Sequence, residues 1–221
     1  MAEMLLNDVM EENEITTGGM NREFFALSFS CCRDSITMWA EFGSKTGYNI
    51  GFHSGEIVNR IINKNQVDYH GLVIYNREQQ KKLIRKLIHQ DIPETLDTTL
   101  FGILEAGMKD RRNALYRKAC RRFQKITAVY AMFFKYEAFA QEREYRFVFK
   151  RDKEQPVYFR EKDGFMIPYI EIHLDQNKLS VKEIMVAPQN HIDLAKNGMD
   201  YMMRYKGYHV PVTLSNIKLR Y

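Results

Sequence analysis

Short runs in which apolar and polar residues alternate are separated along this chain by one long region of helical period, and that contrast sets the expected architecture. Residues 24–30, FFALSFS, place Phe25, Leu27 and Phe29 on one face and Ala26, Ser28 and Ser30 on the other, as a strand entering a core would. A short helix over 36–42, capped by Asp34 or Ser35 and ended by Gly43, carries the only tryptophan, Trp39. A strand over 47–52 follows and is expected to pair with the first. Residues 56–63 form a short amphipathic helix by pattern, and 67–75 alternate as a third strand. From 77 to 89, Leu83, Ile84, Leu87 and Ile88 recur at helical spacing until Pro93 breaks the helix. A second helical stretch covers 94–134, with Met108, Leu115, Ala119, Phe123, Ile126, Tyr130 and Phe133 as its buried stripe. Shorter strands follow at 157–160, 167–174, 184–187 and 210–214, with a turn at Asp163-Gly164 and a helix over 193–205 that stops before Gly207. Residues 1–20 have no strong period, and the run Thr16-Thr17-Gly18-Gly19 marks a turn. The expected class is α+β: mainly antiparallel sheets in a single domain, 1–221, with a helical insertion at 77–134.

Composition refines this picture. With 221 residues and 45% hydrophobic content, the chain can bury a real core. The net charge of +5 and a pI near 9.0 favour an acidic partner such as nucleic acid, a nucleotide or a phosphorylated ligand. Three cysteines, Cys31, Cys32 and Cys120, give neither a CxxC site nor a disulfide framework, and a reducing cytoplasm is the expected location. The first fourteen residues are acidic and lack the basic start of a secretory signal, and the longest apolar run, 128–134, is too short to span a bilayer. No membrane partner is expected. The six histidines have no metal-ligand spacing, and neither a P-loop, a GxGxxG fingerprint nor a GxSxG elbow is present.

Two stretches carry candidate chemistry. The first, 139–150, FAQEREYRFVFK, sets Glu142 and Glu144 just ahead of an alternating run. On a strand beginning at Glu142, Glu142, Glu144 and Arg146 share one face. Crowded carboxylates need a cation or a reacting group between them, which makes a candidate active centre, although a solvated edge strand with an ion pair fits the same pattern. The second stretch is the basic face of the long helical region: Lys109, Arg111, Arg112, Arg117, Lys118, Arg121, Arg122 and Lys125, opposed only by Asp110. It reads either as a solvated helix face or as a surface that holds phosphates in register.

The order of several runs adds a resemblance. LND (6–8), FALSFS (25–30), DSITMW (34–39), GYNIGF (47–52), ExExRFV (142–148), FR (159–160), IPYIEI (167–172), EIMVAP (183–188) and LSNIKLR (214–220) together resemble a bacterial and phage-associated domain-of-unknown-function family, number twenty-nine seventy-one. The resemblance covers nearly the whole chain, with Ala187-Pro188 where the family usually has Gly-Pro. A weaker similarity, of Ser28-Phe29-Ser30 and Glu142-x-Glu144 to the Ser-x-Ser and Glu-x-Glu elements of ADP-ribosyltransferases, implies a function. It implies NAD as substrate, with Glu144 as the catalytic carboxylate, Glu142 on the acceptor side, Ser28 and Ser30 bracing the NAD pocket, and Trp39 or Tyr48 stacking on nicotinamide or adenine. Such enzymes carry an Arg or His on a strand ahead of the serine strand; here that stretch holds Arg22. The expectation is an ADP-ribosyltransferase-like toxin or phage-defence effector. Its acceptor is a macromolecule such as RNA or DNA, bound through Arg112, Arg117, Lys118, Arg121, Arg122 and Lys125, and its partner is a cognate antitoxin protein. One rival is a non-catalytic module that binds nucleic acid or protein. Another is a magnesium-dependent nuclease using Glu142 and Glu144 with Asp34 or Asp8.

Overall fold

A computed structural model describes residues 24–43, 47–152, 154–174, 178–188 and 192–217. The LND run, the turn at 16–19 and Arg22 lie outside the described residues. In chain order the elements are β1 (Phe24–Ser30), α1 (Ile36–Phe42), β2 (Tyr48–Phe52), α2 (Ser54–Lys64), β3 (Tyr69–Leu72), α3 (Arg77–Lys86), a π turn (Leu87–Asp91), α4 (Ile92–Thr95), α5 (Leu100–Lys109) and α6 (Ala114–Phe133). A 3-10 turn (Glu137–Glu142), β4 (Glu144–Lys150), β5 (Tyr158–Lys162), β6 (Phe165–Tyr169), β7 (Val181–Val186), α7 (Ile192–Tyr205) and β8 (Val212–Leu214) complete the order. The class is α+β, as expected. The chain divides into two compact units: a helical one, whose described part is Leu72–Ala140, and a sheet unit built from Phe24–Gly71 and Gln141–Tyr221. Among the described residues no helix is long and apolar enough to cross a membrane.

The sheet unit contains two three-stranded sheets, ordered β1-β4-β3 and β2-β7-β8, and a β5-β6 hairpin. β1 and β4 run antiparallel, with Phe25 opposite Phe149 and Leu27 opposite Phe147. These residues fix the register, because a slip of one position would turn every apolar side chain to the wrong face. Ile57 and Ile61 of α2 cover that face and form a buried cluster with Phe147 and Phe149. Within it Phe29 meets Phe52 and Phe147 edge to face, at ring distances of 6.1 and 6.0 Å. β7 and β8 pair in parallel, which requires a crossover, and α7 supplies it: Met203 packs with Ile184, Val186 and Val212. The expected pairing of β2 with β1 does not occur. β2 pairs with β7 instead, Ile50 opposite Ile184, because α1 carries the chain from one sheet to the other and β1 finds its aromatic complement in β4.

In the helical unit Leu87, Ile88, Ile92, Ile103, Leu104, Tyr116, Ala119, Cys120 and Phe123 make one core. Pro93 does not break the helix. It sits in the first turn of α4, where its missing N–H leaves no bond unmade, directly after the π turn, and the chain leaves helical geometry later, with Asp97 at φ 50°. The stretch 94–134 is likewise not one helix. Asp110 accepts from the Arg112 N–H, and Asn113 caps α6 by accepting from Leu115 and Tyr116. Met108, expected in the stripe, is 77% exposed. At Gly107 the backbone lies so close to the Tyr116 ring that a Cβ would collide with it.

Candidate active site

The strand that was expected to begin at Glu142 begins at Glu144. Glu142 ends the 3-10 turn, and Arg143 between the two acids has φ 44°, a left-handed conformation that breaks the alternation. Only Glu144 and Arg146 therefore share a strand face by spacing of two. They form a bidentate ion pair: Arg146 Nη2 lies 2.8 Å from both carboxylate oxygens of Glu144, and Nε lies 3.1 Å from Oε1. Glu144 is 7% exposed and Glu142 5%, so both carboxylates are buried, where a charge persists only with partners.

The register of β1 on β4 sets Ser30 opposite Glu144 and Ser28 opposite Arg146. Residues directly opposite in an antiparallel pair stand on the same face. The two serines, the acid and the guanidinium thus occupy one surface, while Leu27, Phe29, Phe147 and Phe149 fill the core behind it. Ser30 also fixes the turn that delivers the acids. Its hydroxyl donates to the Glu142 carbonyl at 2.7 Å and accepts from the Cys32 N–H at 3.0 Å, while the Cys31 N–H donates to the Arg143 carbonyl at 2.8 Å. Gln141 is held from the other side by the Thr37 hydroxyl, at 2.7 Å.

Trp39 does not offer a stacking face. It is 8% exposed, packs with Met185 and Ala187, and donates its indole N–H to Asp34 at 2.6 Å. Tyr48 is exposed on β2. Asp34 is no helix cap either, since the Ser35 and Asp34 side chains leave the first turn of α1 uncapped. It accepts instead from the Ser215 hydroxyl at 2.7 Å and the Asn216 N–H at 2.9 Å. Partial burial pushes its pKa up, but the hydrogen bonds from Trp39, Ser215 and Asn216 outweigh that and hold it below its ordinary value. Beside it Arg33 grips Glu183 through two 2.7 Å bonds, which lower the Glu183 pKa and raise that of Arg33. Gly51 lies opposite Glu183, and a Cβ there would stand 3.0 Å from the Glu183 Cγ. Sequence reasoning missed Arg33, Glu183, Ser215 and Asn216 as a set. The signal was available: three of the ordered runs, DSITMW, EIMVAP and LSNIKLR, are the segments this network joins.

With its oxygens engaged this way, Asp34 is not poised to join Glu142 and Glu144 on a cation, and Asp8 lies outside the described residues. Among the described residues no group of three or more His, Cys, Asp or Glu could hold a metal ion. The predicted basic residues lie in the other unit: Arg112 precedes α6, and Arg117, Lys118, Arg121, Arg122 and Lys125 are all exposed on it. Lys109 is opposed by Glu105 at 2.7 Å, an acid the sequence reading overlooked.

No curated protein and no solved structure matches the chain. A family model does, and its match is narrower than the order of runs suggests. It takes in Glu142, Glu144 and Arg146 but starts after Ser28 and Ser30. This model, described as Protein of unknown function (DUF2971), matches residues 38–147, about half of the chain, and supports placing the chain in that family.

Proposed function

We propose that the sheet unit is an ADP-ribosyltransferase-like catalytic unit that uses NAD as substrate and Glu144 as its central carboxylate. The observation that carries the reading is the β1–β4 register, which puts Ser28 and Ser30 on the same face as Glu144 and Arg146. In this reaction the bond from ribose C1′ to the nicotinamide nitrogen breaks, and the electron pair leaves with nicotinamide. The positive charge that develops on the ribose needs a fixed anion beside it. Glu144, held rigidly by the Arg146 fork, supplies that anion with little reorganisation. Ser28 offers its hydroxyl to the substrate from the facing strand, Ser30 braces the turn that carries Glu142, and Glu142, two residues from Glu144, accepts the proton of the incoming nucleophile. A catalyst of this kind would act as a toxin or defence effector by modifying a macromolecule.

The test is incubation of the purified chain with labelled NAD and a bacterial lysate, treated or untreated with nuclease and protease. Label transfer by the wild type that falls at least a hundredfold in Glu144→Gln supports the reading. Equal transfer by both proteins, or no transfer together with no thermal stabilisation by NAD, overturns it.

A further inference from the structure

Charge is distributed unevenly along the chain. Residues 72–140 carry fourteen Lys and Arg against seven Asp and Glu, so this stretch alone exceeds the whole-chain charge of +5. The excess is concentrated further: residues 111–136 hold eight Lys and Arg and no Asp or Glu. At 3.6 residues per turn Arg117, Arg121, Lys125, Lys118 and Arg122 of α6 fall within an arc of about 140°. All five are exposed. Arg117 and Arg121, Lys118 and Arg122, and Arg121 and Lys125 are like-charged neighbours four residues apart, each pair repelling along the helix. Arg117 and Lys118 also lie near the helix N-terminus, where the macrodipole disfavours cations. Like charges set four residues apart on one helix face are eased when a polyanion lies along that face.

We infer that this face of α6 binds the phosphodiester backbone of nucleic acid without reading its sequence. The five cations span roughly 12 Å of helix axis, about three to four phosphates of one strand at a ~3.4 Å repeat. Three of the five are arginines, whose planar forks match phosphate oxygens. An anionic lipid surface, the other partner of basic helices, requires an apolar face free to enter the headgroup region. In α6 that face is occupied, with Tyr116, Ala119, Cys120 and Phe123 buried in the unit's own core. The inference goes beyond the transferase reading and does not need it.

The test uses the full chain and fluorescein-labelled 20-mers of mixed sequence, as duplex DNA and as single-stranded RNA. Neutralising three to four phosphates gives a log-log salt slope of about −3, so affinity falls on the order of fiftyfold between 50 and 200 mM salt. The triple variant Arg121→Gln, Arg122→Gln, Lys125→Gln keeps good helix formers at exposed positions, and unchanged far-UV circular dichroism reports that α6 remains folded. Binding at least tenfold weaker in this variant, with a shallower slope, and unaltered in Glu144→Gln, is the expected result. Equal affinity of wild type and triple variant overturns the inference, as does binding to phosphatidylserine vesicles with none to either 20-mer. Loss of transfer in Glu144→Gln with binding retained leaves the two readings separately established.

Discussion

The ion pair between Glu144 and Arg146 admits a quantitative test, because the two side chains differ in what happens when the partner goes. The Glu144 side chain is 9% exposed and the Arg146 side chain 18%, and three contacts of 2.8 to 3.1 Å join them. Removing the guanidinium in Arg146→Met keeps much of the aliphatic bulk but strips the buried carboxylate of its bidentate cation, a loss of about 3–5 kcal/mol. Glu144→Gln leaves a hydrogen-bonding group and a cation nearer to water, so about 1–2 kcal/mol is expected. The double variant holds neither charge, and burial of two neutral groups of similar volume brings its cost to about 1–2 kcal/mol. The cycle therefore predicts a coupling of about 2–6 kcal/mol. Urea unfolding read by Trp39 fluorescence suits the measurement, because Trp39 is the only tryptophan and belongs to the same unit as the pair. At a slope of about 2 kcal/mol per molar urea, Arg146→Met should lower the midpoint by roughly 1.5–2.5 M. A coupling below about 0.5 kcal/mol would mean a solvent-screened pair and would remove the argument that Arg146 fixes Glu144 for chemistry.

Two further perturbations probe the supports of the two units. Asp34 and Glu183 both have depressed pKa values in the fold, so the stability they contribute is complete above their unfolded values of about 3.9 to 4.3 and is lost as pH falls through the lower folded ones. The Trp39-reported melting temperature should drop steeply below about pH 4, and Asp34→Asn should flatten that drop without abolishing it, since Glu183 remains; an unchanged slope refutes the role given to Asp34. In the helical unit Gly107→Ala should cost about 1–3 kcal/mol by forcing the Tyr116 ring away, measured as loss of helical ellipticity on heating, and a neutral result would show that the ring moves freely.

What could be read from sequence divides along a physical line. The alternation in FFALSFS and EYRFVFK gave β1 and β4 and their apolar faces, because side-chain direction in a strand depends only on parity. Pairing partners were not legible: β2 was assigned to β1, yet β7, more than a hundred residues later, is its neighbour. Glu142 was misread because parity fails at one residue, Arg143, whose positive φ nothing in its identity announces. Pro93 was read as a breaker where it serves as a starter, since a proline's effect depends on which side of it the helix lies. Trp39 illustrates a third limit. An aromatic beside a candidate site reads equally as ligand platform or core, and only Met185, Ala187 and Asp34 around it decide for core.

The long gap between the serine and glutamate motifs is no obstacle to their pairing. Ser30 and Glu142 are 112 residues apart, and closing a loop costs only about 0.6 kcal/mol more for each doubling of its length. The helical unit reduces even that cost by tying its own ends together. The Ile74 N–H donates to the Phe133 carbonyl at 2.8 Å, the Lys135 N–H donates to Ile74 at 3.2 Å, and the Gln80 amide donates to the carbonyls of Ile74 and Lys135 at 2.6 and 3.0 Å. With positions 74 and 134 bridged, about half of the intervening chain drops out of the closure that joins β1 to β4, a gain of about 0.6 kcal/mol. Its core cluster is also made entirely of residues from this unit, so its contacts are local and need nothing from the sheets to form. An insertion closed on itself in this manner can change surface charge along α6 without disturbing the Ser30–Glu144 register. Variants of the basic face and variants of Glu144 therefore test the two proposals separately.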